Sequence, residues 1–178
     1  MDGLDRLASE YLRSLRDEFG RQRDMAERAI AQVSSADLSS RLDGEANSIA
    51  MLMQHLAGNH TSRFSDFLTT DGEKPSRDRD AEFVEGTLHG DELHAAWERG
   101  WATLEAALSG LSAADLTRLV TIRGEPLTVV RALERALAHT GYHVGQIVLL
   151  AKHLAGQRWT TLSIPRGRSR TWRPPGAR

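Results

Sequence analysis

His139 and His143 stand four residues apart inside the longest apolar-periodic segment of the chain, Leu137-Ala138-His139-Thr140-Gly141-Tyr142-His143-Val144-Gly145-Gln146-Ile147. Residues at i and i+4 share one helix face, with Cβ atoms roughly 5–6 Å apart, so two imidazoles in this register can point at one ion. On the spacing alone the blander reading is the commoner one: two partly buried imidazoles bonded to carbonyls. A metal enzyme site asks for more, usually three protein ligands and an open position for water or substrate.

The remaining histidines decide whether a third ligand exists. His153 is about 21 Å beyond His139 at 1.5 Å per helical residue, too far to join it. His89 and His94 lie in polar surroundings and read as surface residues. His55 sits in Gln54-His55-Leu56-Ala57-Gly58-Asn59, amid an otherwise apolar turn, and Gly58 would allow another helix to approach closely. It ranks first as a third ligand, only narrowly ahead of His60, and Asn59 one turn on would neighbour the site. On the histidine-bearing helix, Gln146 flanks the pair and reads as meeting substrate or a connecting loop, while Arg123 and Glu125 just before that helix could line an entrance. Glu134 reads as an ordinary surface group.

The elements that must position these groups are helical. Apolar residues from Leu4 to Val33 recur in steps of three and four, which predicts an amphipathic helix over 4–33. Asn47 or Ser48 could cap a second helix, carrying Ile49, Leu52, Met53, Leu56, Phe64, Phe67 and Leu68 and ending before Asp71-Gly72. Residues 71–90 form a long polar loop, a feature often tied to function, although its run Arg77-Asp78-Arg79-Asp80 reads as a solvated surface of paired charges. A third helix starts near Asp91, with Leu93, Trp97, Trp101, Leu104, Leu108 and Leu111 as its buried stripe. Residues 118–125 are β-prone and suggest a small hairpin or an extended connector. Pro126 suits the first turn of a fourth helix, which would run to Ala155 and stop at Gly156. The stripe Val130, Leu133, Leu137, Val144, Val148, Ala151 and Leu154 would be its core face. At about 100° per residue, His143 and His139 lie ~100° and ~140° from the Val144 direction, flanking that face.

Four such helices imply an all-α protein, a four-helix bundle whose facing helices can build a metal or ligand site from inward side chains. The reading is one domain over 1–164, with an Arg- and Pro-rich tail over 165–178. The net charge of −1 supplies no field to attract nucleic acid or an acidic membrane, and a basic tail alone is a weak nucleic-acid signal. No stretch approaches the ~18 apolar residues of a membrane span, and the N-terminal segment lacks the pattern of a signal peptide, so a cytoplasmic location is expected. The absence of cysteine excludes disulfides, thiolate zinc sites and a cysteine nucleophile. No phosphate-binding glycine loop and no Gly-x-Ser-x-Gly elbow occurs.

The helix-two text Gln54-His55-Leu56-Ala57-Gly58-Asn59 and the helix-four text His139-Thr140-Gly141-Tyr142-His143-Val144-Gly145-Gln146-Ile147 resemble the DinB-like superfamily of bacterial metal-binding four-helix bundles. The chain looks closest to an uncharacterised subfamily within it, through Asn47-Ser48-Ile49-Ala50, Phe67 to Pro75, Thr121 to Pro126 and Ser163 to Gly167. The resemblance implies a metal triad at His55, His139 and His143. It also implies a divalent ion, commonly zinc or nickel with iron or manganese as further candidates, and often a homodimer. It implies no settled reaction: some relatives are transferases of low-molecular-weight thiols such as bacillithiol or mycothiol, and many have no known activity. Three neutral imidazoles leave an open position at zinc, where water would become a nucleophile near neutral pH and a thiol would be deprotonated outright. The triad thus leaves a thiol-dependent transferase, a hydrolase and a non-catalytic metal-binding or stress-related interaction protein all open.

Overall fold

The computed structural model describes residues 3–173; the final residues of the basic tail, 174–178, lie outside the described residues. Among those described, four long helices dominate: α1 (Gly3–Ile30), α2 (Ile49–Phe64), α3 (Gly90–Gly110) and α4 (Val129–Ala155). A two-stranded antiparallel hairpin, β1 (Leu119–Ile122) and β2 (Glu125–Thr128), joins α3 to α4. The protein is therefore mostly helical, and no described helix is long and apolar enough to cross a membrane.

α2 is the central element, packed against α3 and α4. It is buried almost all round, from Met51 and Leu52 to Ser62 and Phe64, the pattern of a helix enclosed by its neighbours rather than lying on a surface. Ser48 caps it, its Oγ accepting from Met51 N at 3.2 Å. It ends at Phe64, short of the expected Asp71, because Ser65 turns to extended backbone; Phe67 nevertheless stays buried in the turns that follow. The close helix approach expected at Gly58 occurs elsewhere. Gly100 of α3 abuts the backbone of Ala57, where an added Cβ would lie 2.7 Å from the Ala57 Cα, and Gly58 instead faces a glutamate.

α1 packs mainly on α4 and buries Leu12, Leu15, Phe19, Ala26 and Ala29. Its first turns carry no core: Leu4 and Leu7 are exposed, so the apolar period there runs past the body the helix rests on. Arg16 reaches from α1 to Leu108 O at the end of α3, Nε at 3.1 Å and Nη2 at 2.6 Å, and so adds side-chain donors to a last-turn carbonyl that otherwise accepts a long bond from Leu111 N. The stripe expected on α3 is buried throughout.

Two sequence expectations for α4 are corrected. Pro126 is in β2 and not in the helix, which starts at Val129 behind a Thr128 cap. A strand edge tolerates a proline whose missing N–H faces no partner, and Val120 to Leu127 pairing takes up the preceding residues. The buried face is also rotated. Val129, Ala132, Leu133, Thr140, His143, Val144, Ile147, Leu150 and Ala151 are buried, while Val130, Leu137, Val148 and Leu154 are only half-buried at its margin. α4 meets α1 on one side and α2 on the other, so its covered arc is wider than a single stripe, and His143 falls inside it. Gly156, at φ 55°, closes the helix as expected.

The 71–90 connection is not a free loop. Ser62 Oγ donates to Gly72 O (2.9 Å) and accepts from Lys74 N (3.0 Å). Further along, Gln54 Nε2 donates to Ala81 O (2.8 Å) and Gln54 Oε1 accepts from Leu88 N (3.0 Å). These bonds strap the segment along α2. A short 3-10 turn over Ala81–Phe83, begun by Asp78 Oδ1 accepting from Ala81 N, points Glu82 inward. The run Arg77 to Asp80 is thus only partly a solvated surface: the Arg77 side chain is 4% exposed.

Asp71 ties the same segment to the hairpin. Its carboxylate accepts from Arg123 N (2.9 Å) and Gly124 N (2.8 Å). Arg123 (φ 57°) and Gly124 (φ 75°) are both left-handed, the geometry of a two-residue type I′ hairpin turn. Glycine adopts it freely, whereas Arg123 is held there by the bond from its own N–H. Those backbone bonds, first from Glu73 and Gly124, hold the Asp71 carboxyl down to about 2.

Candidate metal centre

His55 from α2 and His139 and His143 from α4 converge on one point. Each offers a ring nitrogen, and the three atoms lie within 4.8 Å of one another. His139 Nε2 is 3.1 Å from His55 Nε2 and 3.2 Å from His143 Nε2. Bonds of 2.0–2.1 Å at tetrahedral angles would separate ligand nitrogens by about 3.3 Å, so these spacings suit a shared ion. No other histidine or carboxylate joins the group among the described residues.

The outer bonds fix which nitrogens are free. His55 Nδ1 is 2.8 Å from Glu82 Oε2. Burial pushes the Glu82 carboxyl up, but bonds from Arg77 and His55 outweigh it and hold the group below its ordinary value, hence ionised. An ionised carboxylate only accepts, so His55 donates from Nδ1 and its Nε2 carries a lone pair. His143 Nδ1 donates to Gln146 Oε1 at 3.0 Å, which leaves the His143 Nε2 lone pair facing inward too. His139 Nε2 can at most satisfy one of these with a proton. A divalent cation satisfies all three, and the same outer carboxylate and amide bonds orient histidines in established metal sites.

Electrostatics favour the neutral, ligating form. Burial first, and the neighbouring His143 and His55 next, push His139 down to about 3. Burial also lowers His143, against the raising influence of Gln146. His139 and His143 then need displace no proton near pH 7.

His60 is excluded from the site. It is fully buried, its Nε2 3.0 Å from Thr140 Oγ1, and its ring stands edge-on to Trp101 with centroids 4.7 Å apart. It is a core histidine and stays outside the cluster that His55 joins. His89, His94 and Glu134 are exposed, as expected, and so is His153.

A cavity of about 170 Å³ opens beside the triad, with His55, His139 and Asn59 in its wall together with Phe64, Phe67 and Ile122. Asn59 and Arg123 line it, whereas Glu125 is absent from the lining. Gln146 meets a histidine rather than the cavity, because i+3 brings it over His143 and not over His139.

Glu82 and Arg77 are candidate-site residues that sequence reasoning missed. Arg77 Nε donates to Glu82 Oε1 at 2.7 Å and Nη2 to Oε2 at 2.8 Å, a bidentate pair that aims the carboxylate at His55. Nothing in the periodicity marks Glu82, which sits in a polar stretch between helices. Its one visible trace is Gly58: a Cβ there would occupy the space of the Glu82 carboxylate.

No curated protein matches the chain. A family model described as a protein of unknown function (DUF1572) matches residues 6–168, and by that extent the chain belongs to this uncharacterised family.

Proposed function

We propose that the protein is a metal-dependent enzyme acting on a small molecule, built as a four-helix bundle of the DinB-like kind, with His55, His139 and His143 as the ligands of a divalent ion, zinc or nickel first. The observation that carries this reading is the open side of the cluster. Three imidazole nitrogens converge, no fourth histidine or carboxylate among the described residues closes the group, and a cavity adjoins it. A site that served only to tie α2 to α4 would be expected to have four protein ligands.

When bound, such an ion supplies Lewis acidity, which generates a nucleophile from water or from a small thiol near neutral pH. The residues of the chain do the rest. Glu82, aligned by Arg77, keeps the proton of His55 on Nδ1 and its Nε2 free for the ion. Gln146 does the same for His143. Asn59 offers an amide to a substrate in the cavity, and Phe64, Phe67 and Ile122 restrict water there. A transferase using a small thiol and a hydrolase both fit these roles. The reading extends to a homodimer in solution.

Cobalt substitution tests it. The full chain loaded with Co(II) should bind close to one ion, lost on His139→Ala or His143→Ala, and its visible bands should shift when a small thiol or azide is added. Stoichiometric cobalt whose spectrum ignores both additives would leave a purely structural ion and sink the enzymatic reading.

A further inference from the structure

We infer that the cavity beside the histidine cluster is an oxyanion site, and that its ligand is a small organic molecule whose carboxylate or phosphate docks on Arg63, Arg123 and Arg135 while its other end reaches the triad. As a statement about substrate this rests on the metal reading above; as a statement about anion binding it stands alone.

Five arginines line this one small cavity, with no acid in the wall: Arg63, Arg77, Arg79, Arg123 and Arg135. They come from four separate parts of the chain, the end of α2, the strapped connection, the hairpin turn and α4. Such convergence is not a by-product of one charged stripe. Their carboxylate partners do not match them. Glu82 is taken up by Arg77 and His55. Glu73 is shared among Arg63 (3.3 Å), Arg77 (3.6 Å) and Arg123 (3.1 Å). Among the described residues Arg135 has only Glu125 at 3.6 Å, beyond hydrogen-bond range. Arg79 lies over the Phe83 ring and has no carboxylate partner among the described residues. Arg63 Nη1 is buried with no acceptor among the described residues.

Mutual repulsion is visible in the same groups. Burial first, and then the charges of Arg77, Arg135 and Arg123, hold Arg63 below its ordinary value, with Glu73 offsetting only part. An incoming oxyanion relieves that repulsion and accepts the vacant N–H groups, and the planar guanidinium suits the bidentate geometry of carboxylate and phosphate. The size and the remaining lining narrow the class. At about 170 Å³ the cavity is smaller than the ~300–1,000 Å³ of sites for drug-sized ligands. Phe64, Phe67, Ile122, Ala132 and Ala136 add an apolar wall. A short organic acid or phosphate ester fits both, whereas a neutral or cationic substrate would leave the guanidiniums unanswered.

Titration calorimetry on the chelator-treated full chain, with inorganic phosphate and with malonate as probes, tests the inference without any metal. At least one probe should bind. Arg135→Gln and Arg123→Gln, both at half-exposed side chains, should each weaken it roughly tenfold, the loss of one charge-assisted bond. Arg118→Gln, outside the cavity, should leave it unchanged. Tighter phosphate marks a phosphate ester, tighter malonate a carboxylic acid. No binding of either probe, or equal weakening by Arg118→Gln, overturns the inference. Zinc bound without any anion site would defeat this inference alone, and anion binding without zinc would defeat only the metal reading.

Discussion

Gly58 and Glu82 fit each other like a gap and its filler: a Cβ built on Gly58 would collide with the Glu82 Oε1 and lie 2.8 Å from its Cδ. The carboxylate cannot swing aside without leaving either Arg77 or His55, both of which it bonds. Gly58→Ala should therefore act on the metal and on the fold together. Alanine is the better helix former by ~1 kcal/mol, which offsets only part of the cost of displacing the buried carboxylate, so metal-free stability should fall. Zinc affinity should fall by roughly 10–100-fold, the usual cost of losing an outer partner of a ligand histidine. Competition against a chromophoric chelator reads this, and unchanged affinity would deny Glu82 its orienting role.

Arg77→Met should cost more in stability. It leaves the Glu82 carboxylate buried with its guanidinium gone, and breaking a buried pair from one side costs about 3–5 kcal/mol. Urea unfolding of the metal-free protein should register most of that loss. Restoring stability with Glu82→Gln in the same chain would confirm that the stranded charge is the cause.

His60 predicts an acid limb in stability. Burial, then the charges of His139 and His55, push it down from 6.5 to about 3. Above pH 6.5 it is neutral both folded and unfolded and contributes nothing. Between 6.5 and about 3 the unfolded chain holds a proton the folded chain refuses, so stability falls as the pH falls. His139 and His143 act in the same direction. In chelator-treated protein, His60→Leu should flatten the slope of unfolding free energy over pH 4–6 by one proton, about 1.4 kcal/mol per pH unit. An unchanged slope would mean His60 is protonated in the fold.

Gly100→Ala should separate α2 from α3. The added methyl would meet the Ala57 backbone at 2.7–2.9 Å, and backbone does not yield as a side-chain end does. Overpacking of this kind costs typically 1–3 kcal/mol, to be measured by thermal or urea unfolding. Because Ala57 lies two residues from His55, zinc affinity should drop in parallel.

Much of this arrangement is legible along the chain. The i, i+4 spacing of His139 and His143 puts them on one face of α4 wherever that helix packs. The apolar steps of α3, the Ser48 cap, the stop at Gly156 and the hairpin around Gly124 are all local, decided by neighbours within a turn or two, so they can be read in order. What the local pattern misjudged lies where distant segments compete. Pro126 joined a strand because β1 offered it a partner, and Leu4 and Leu7 stayed exposed because no element extends over them.

His139 and His143 were marked as a pair by the sequence itself, with His55 the leading candidate for a third. Only the tertiary structure could separate His55 from His60, since both reach α4, His55 at His139 and His143 and His60 at Thr140 beside Trp101. It alone brought Glu82 and Arg77 to His55, and five arginines to one cavity. The reason is physical. Periodicity records which face of a helix is apolar, but a polar connection has no period. Its inward side chains are chosen by bonds to Gln54, Ser62 and Asp71 that form only once α2, the connection and the hairpin are in place.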